Sequence, residues 1–173
     1  MRRVAVIASA SGNGKTTLGR ALAARLEVPF VELDGLVHGP NWAEASDDDL
    51  RRALEPTLAG PGWVIDGTYQ RKIGDLVLES ADTVVWLDLP MAVWLPRLIA
   101  RTCRRYVSRE PLWNGNRESL RKALWGSDSL FVFAFKSHFR RRRQWPTSLA
   151  RYRVVRLRKP EEVARFLADA QRI

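Results

Sequence analysis

The sequence predicts an α/β fold of three layers, with a five-stranded parallel sheet between helices. Three observations predict it. Short apolar, β-branched runs alternate with segments of helical spacing, as in a parallel sheet covered on both faces. The first run, Val4-Ala5-Val6-Ile7-Ala8, leads through a glycine-bearing loop with Lys15 and Thr16 straight into a helix. Later runs end in Asp34, Asp66 and Asp88, at the carboxyl ends of strands, where such sheets bind ligands.

The first element is the strand Val4 to Ala8, and the loop Ser9 to Thr17 follows it. Leu18, Ala21, Leu22 and Leu26 then repeat at helical spacing. Gly12 and Gly14 let the backbone turn and aim its N–H groups at a phosphate. The helix N-terminus adds unpaired N–H groups and the positive end of its dipole. Ser11, Gly12, Asn13, Gly14, Lys15, Thr16 and Thr17 are therefore the candidate phosphate-binding set. Lys15 reaches the terminal phosphates, and the Thr16 hydroxyl is a candidate ligand for Mg²⁺. The usual pattern starts with a glycine where this chain has Ser9.

Val28 to Leu33 reads as the second strand, ending at Asp34-Gly35, with Pro29 at its start. Leu36 to Ala45 reads as a loop carrying His38 and Trp42. Ser46 to Leu58 reads as a helix, with Ser46 as cap, Asp47 to Asp49 in the first turn and Leu50, Leu54 and Leu58 as its buried stripe. Trp63 to Ile65 is the third strand, ending at Asp66-Gly67, and Ile73 to Leu78 a short helix. Thr83 to Leu87 is the fourth strand, ending at Asp88-Leu89-Pro90, with a long helix from about Ala92 to Tyr106. Ser108 to Asn116 is polar and looped, and Glu118 to Trp125 and Leu130 to Arg143 are helical. Val154 to Leu157 is the fifth strand. Pro160 opens a last helix with Val163, Phe166, Leu167 and Ala170 inward.

The 173 residues are expected to form one domain, without linker or repeat. Cys103 is the only cysteine, so no intrachain disulfide forms, which suits a reducing cytosol. No apolar run approaches the roughly 20 residues that span a bilayer. Arg2-Arg3 with the apolar run and Ala8-Ser9-Ala10 imitates a secretory signal, but the run is short and leads into the phosphate loop. A cytoplasmic protein without a membrane partner is expected. Lys and Arg outnumber Asp and Glu by 29 to 19, a net +10 that favours an anionic partner. Arginine concentrates between Arg97 and Arg143, with one block at Arg140 to Arg143.

Asp66 is the favoured magnesium carboxylate opposite Thr16, and Asp88, with its apolar lead-in, is its rival. Asp34 either accepts a proton from a substrate hydroxyl, grips a substrate amine or sugar, or merely forms an Asp-Gly turn. His38 and Trp42 belong near the same pocket, whereas His138 has no identifiable partner. Arg97, Arg101, Arg104 and Arg105 share helical spacing, suiting some of them to the charge that develops in phosphoryl transfer. No Asn-Lys-x-Asp guanine element is present.

These residues resemble the adenylate-kinase-like P-loop kinases, and more closely the bacterial DNA topology modulation protein group. The likeness rests on Ala8 to Thr17, Leu33 to Leu36 with Trp42, Trp63 to Tyr69, Ala81 to Pro90 and Val154 to Leu157, nearly end to end. It implies a three-layer P-loop NTPase fold with a helical, arginine-rich lid at about 107–147 and ATP as phosphate donor. By spacing from Asp88-Leu89-Pro90 it also implies that Arg97 stacks on the ATP base and Arg101 contacts phosphate. The lid arginines fall within Arg140 to Arg143. Adenylate kinases read Asp-Gly-Phe-Pro-Arg where this chain has Asp66-Gly67-Thr68-Tyr69-Gln70-Arg71, so AMP as acceptor is not implied.

The sequence thus points to an ATP- and Mg²⁺-dependent phosphotransferase acting on a small acceptor, a nucleotide or nucleoside. Lys15, Asp34 and Arg101 are its candidate catalytic residues. The alternative is a nucleic-acid-associated ATP-binding protein, whose basic lid and Trp113, Trp125 and Trp145 grip the polymer.

Overall fold

A computed structural model describes residues 1–108, 111–116 and 129–170. Strands β1 (Arg3–Ala8), β2 (Phe30–Glu32), β3 (Trp63–Asp66), β4 (Thr83–Leu87) and β5 (Val154–Leu157) form one parallel sheet in the order β2-β3-β1-β4-β5. β1 is central. Val6 pairs with Asp66 of β3, and Ala8 with Leu87 of β4. The connection after β1 runs toward one edge of the sheet and that after its neighbour β4 toward the other, so the loop after β1 lies at the topological switch point.

Alternation sorts the strand side chains to two faces. Ala5, Ile7, Trp63, Ile65, Val84 and Trp86 bury one face. It is covered by α2 (Leu33–Val37), α3 (Asp47–Ala59), α4 (Gln70–Ile73), α5 (Leu76–Ser80) and the C-terminal end of α7 (Leu130–Ser148). Val4, Val6, Ala8, Val64, Val85 and Leu87 bury the other, beneath α1 (Lys15–Leu26) and α8 (Pro160–Asp169). A third cluster joins Ala10 of the loop to Trp94 and Leu98 of α6 (Met91–Ser108) and Ala134 of α7.

All five strands fall where the sequence put them, although β2 is shorter. Ser46 caps α3, its Oγ accepting from the Asp49 N–H at 3.1 Å, a cap worth about 1 kcal/mol. Two expectations change. Asp34-Gly35 is not a turn closing β2 but lies within α2. Leu33 and Val37, one helical turn apart, are both fully buried in the core, and that anchoring winds the segment into helix. Ile73 to Leu78 is also split, into α4 and α5, at Gly74 with φ +63°. The expected helix Glu118 to Trp125 lies outside the described residues. No described helix is long and apolar enough to cross a membrane.

Candidate active site

The loop between β1 and α1 is built around two glycines with different tasks. Gly12 has φ +83°, and a Cβ there would stand 2.5 Å from the Trp94 carbonyl oxygen and 3.0 Å from Leu98 Cβ. It admits α6 against the loop. Gly14, φ +90°, would point its Cβ into open space, leaving the approach to the α1 N-terminus clear. Asn13 is buried and braces the loop. Its Nδ2 donates to the Ala10 carbonyl at 2.9 Å, and its Oδ1 accepts from the Leu89 N–H at 3.0 Å. Any contact of Asn13 with phosphate is thereby left to its backbone. Ser11 is half-buried and Thr17 exposed.

Lys15 and Thr16 converge on one carboxylate. Lys15 Nζ lies 2.9 Å from Asp66 Oδ1, and Thr16 Oγ1 donates to Asp66 Oδ2 at 2.7 Å. The same hydroxyl is 3.2 Å from Glu32 Oε1, because Glu32 and Asp66 are register partners on β2 and β3. Asp66 is only 3% exposed. A hydroxyl and two carboxylates are hard oxygen donors of the kind Mg²⁺ takes. Among the described residues no group of three or more His, Cys, Asp or Glu forms a metal site by itself. An ion here would complete its shell with water and phosphate, as Mg²⁺ does in nucleotide sites. Glu32 was not singled out from the sequence, and only its place one residue short of the expected strand end could have marked it.

Asp88 has other partners. It is fully buried, and its Oδ1 accepts from Ser9 Oγ at 2.6 Å and lies 3.2 Å from Arg142 Nε. Its Oδ2 accepts from Arg156 Nη2 at 2.6 Å and Nε at 3.0 Å.

Asp34 heads a second cluster. Its Oδ1 accepts from the Tyr69 hydroxyl at 2.6 Å, and that hydroxyl lies 3.3 Å from His38 Nε2. Burial, then the Asp34 carboxylate, push the Tyr69 phenol well above its usual range, so it stays protonated and donates. Tyr69 sits at φ +43° and Trp42 at φ +61°, left-handed conformations that bulky residues rarely adopt. The His38 ring lies 5.4 Å from that of Trp42 and 6.1 Å from that of Trp113. Asn114 Nδ2 donates to the His38 carbonyl at 2.6 Å, and Asn116 Oδ1 accepts from the Trp42 N–H at 2.9 Å. The segment after α6 is thus fastened to the Asp34 side of the site. His38 and Trp42 do come together with Asp34, as expected. Tyr69 was noticed only as part of a motif, since a tyrosine after Asp-Gly-Thr carries no chemical signal of its own.

The arginines divide. Arg97 is exposed on α6, and Arg101 is half-buried beside the buried stripe Trp94, Leu98 and Thr102. In the Arg140 to Arg143 block, Arg141 Nη1 donates to the Ala8 carbonyl at 2.8 Å and its guanidinium packs 5.1 Å from the Trp145 ring. Burial, then Arg140, lower its pKa to about 10. Arg142 pairs with Asp88 and reaches His138 Nε2 at 3.2 Å, the partner the sequence did not reveal for that histidine. Arg140 and Arg143 remain exposed. Trp145 stacks edge-on with Trp86 at 5.4 Å, and Trp113 packs on Gly35 and His38, so both are occupied by packing. Trp125 lies outside the described residues. The nucleic-acid alternative is not favoured by these placements.

A parallel sheet in this order, with a glycine loop and Lys-Thr after its central strand, is the P-loop NTPase fold, in the form found in P-loop kinases. The ATPase family associated with various cellular activities (AAA) matches residues 5–63. A shikimate kinase of Novosphingobium aromaticivorans is 32% identical over 103 residues, 54% of this chain and 53% of that protein. The chain thus spans about half the length of that curated relative. Among solved structures, a gluconokinase from Sinorhizobium meliloti 1021 superposes with a TM-score of 0.54 at 22% identity, over 99% of this chain and 90% of the other. A shikimate kinase from Acinetobacter baumannii, in complex with shikimate, superposes with a TM-score of 0.58 at 16% identity, over 99% and 90%.

Proposed function

We propose that this chain is an ATP- and Mg²⁺-dependent kinase of a small hydroxyl-bearing acceptor. The observation that carries the proposal is the convergence of Lys15 and Thr16 on the buried Asp66 at the mouth of the phosphate loop. The loop amides and the α1 N-terminus bind the β- and γ-phosphates, and Lys15 exchanges Asp66 for phosphate oxygens. Thr16 and Asp66, with Glu32 beyond them, would hold the Mg²⁺, which when bound would neutralise phosphate charge.

Asp34 orients the acceptor hydroxyl and takes its proton as the bond from acceptor oxygen to γ-phosphorus forms and the bond to the ADP oxygen breaks. Tyr69 occupies one oxygen of Asp34 and fixes the direction of the other. The exposed Trp42 ring, 5.4 Å from the His38 ring, offers an aromatic face on that side of the site, suited to a sugar or nucleoside ring. Arg101 steadies the transferring group, and Arg97 contacts the adenine. The lid at about 107–147, contributing Arg140 and Arg143, and the finer kinship with the topology modulation proteins belong to this same proposal.

The test is ATP consumption with Mg²⁺ across nucleosides, nucleoside monophosphates, sugars and sugar acids, and cyclic alcohols such as shikimate. One acceptor should raise turnover well above background, and Asp34→Ala should abolish the rise. If no acceptor does so, or Lys15→Ala transfers phosphate as well as wild type, the kinase proposal fails.

A further inference from the structure

Three features of the sequence have no role in the proposed phosphate transfer: the serine where phosphate loops begin with glycine, the second strand-end aspartate, and the middle pair of the arginine block, Arg141 and Arg142. The structure joins them. Ser9 is fully buried, accepts from Trp86 Nε1 at 2.9 Å and donates to Asp88 Oδ1 at 2.6 Å. Two arginines share the rest of that carboxylate: Arg156 of β5 donates twice to Oδ2, and Arg142 of α7 forms an ion pair with Oδ1 at 3.2 Å. One residue before Arg142, Arg141 donates to the carbonyl of Ala8, one residue before Ser9. Two successive arginines of α7 therefore grip two successive positions at the start of the phosphate loop. Two guanidiniums on one carboxylate also leave a net positive charge at the foot of the loop, the sign a phosphate favours.

We infer that Ser9, Asp88 and Arg142 are positioning residues, forming a strut, buried at Ser9 and Asp88 and 40% exposed at Arg142, through which helix α7 holds the phosphate loop in its anion-binding shape. The inference rests on the kinase proposal, since it supposes that the loop binds ATP. A glycine at position 9 would leave the Asp88 oxygen and the Trp86 N–H without their partner, so the hydroxyl is required by this strut rather than tolerated in the motif. Arg156 holds Asp88 and Arg141 holds Ala8 independently, but Ser9, Asp88 and Arg142 run in series, so breaking either end of that series removes the same hold of α7 on position 9.

The experiment is a double-mutant cycle on Mg·ATP binding by titration calorimetry, with melting temperatures recorded in parallel. Ser9→Ala and Arg142→Gln should each weaken ATP binding by about 3- to 10-fold, and the double variant should be no weaker than the worse single. Arg142→Lys, which keeps the cation beside Asp88, should recover part of the loss. If the two effects multiply in the double variant, or if melting falls while ATP affinity stays at the wild-type value, the strut is only structural and the inference is overturned. Wild type that binds ATP, and loses it in Lys15→Ala, leaves the kinase proposal standing in that case. Wild type that does not bind ATP removes the proposal and the inference together.

Discussion

Replacing Gly12 with alanine should destabilise the protein more than any other single methyl group added to the phosphate loop. Two costs add. At φ +83° a non-glycine residue is held in the left-handed region, at about 1–2 kcal/mol. The new Cβ would also stand 2.5 Å from the Trp94 carbonyl oxygen and 3.0 Å from Leu98 Cβ. Neither neighbour is the end of a flexible side chain: one is helix backbone and the other the base of a buried leucine. The helix must therefore shift, and overpacking of this kind costs about 1–3 kcal/mol. The sum is about 2–5 kcal/mol, which at ~2–4 °C per kcal/mol for a chain of this size lowers the melting temperature by roughly 4–20 °C. Gly14→Ala is the internal control. It shares the left-handed conformation, φ +90°, but nothing stands within 4 Å of its Cβ. It should lose only the first cost, while its methyl group obstructs the approach of phosphate and weakens ATP binding. Scanning calorimetry decides between them. Gly12→Ala melting within ~2 °C of wild type, or Gly14→Ala melting lower than Gly12→Ala, would refute the packing account.

Asp66→Asn should lower phosphotransfer by about 100-fold or more, because it removes the negative charge that Lys15 and Thr16 share; a steady-state assay with Mg²⁺ checks it. Tyr69→Phe should reduce kcat by about 10-fold with the KM for ATP unchanged, since it frees Asp34 to turn away but leaves the phosphate loop intact; equal losses in both constants would count against that role. His138 titrates below its usual value, first because it is buried and then because the Arg142 cation faces it, with Asp88 opposing weakly. A lowered histidine pKa means the unfolded chain takes up the proton first, so stability is full above about pH 6.5 and falls as the pH drops below it. Melting temperatures between pH 7.5 and 5.5 should show that slope, and His138→Gln should flatten it; an unchanged slope would assign the acid sensitivity to other groups.

The sheet was legible because each strand is a short apolar run closed by a turn signal, and because both faces are buried, so that little else suits Val4 to Ala8 or Thr83 to Leu87. The phosphate loop was legible because its chemistry is local, with donor atoms, helix start and glycines adjacent in the chain. Local signals misled at Asp34-Gly35, where turn propensity lost to the burial of Leu33 and Val37. Non-local partners were invisible. Tyr69 reaches Asp34 across 35 positions, and Ser9 reaches Asp88 across 79. Nothing in the local pattern of either pair encodes the meeting, which the parallel register alone brings about.

The contrast between Asp66 and Asp88 explains why the proposed kinase chemistry draws on one strand-end carboxylate and not the other. Both end strands that flank β1, and both are nearly or fully buried, so burial alone does not separate them. Their partners do. Asp66 is held by an ammonium and a hydroxyl, each on the first turn of α1 and each able to turn toward a phosphate or a metal ion without leaving a buried cation behind. Asp88 is held by two guanidiniums and a buried serine, and to release them would strand its own fully buried carboxylate away from water, a loss on the order of 3–5 kcal/mol for a broken buried pair. A carboxylate whose partners can leave is available to a ligand. One whose partners cannot leave is a fixed joint, and here the joint lies directly under the loop that the other carboxylate serves.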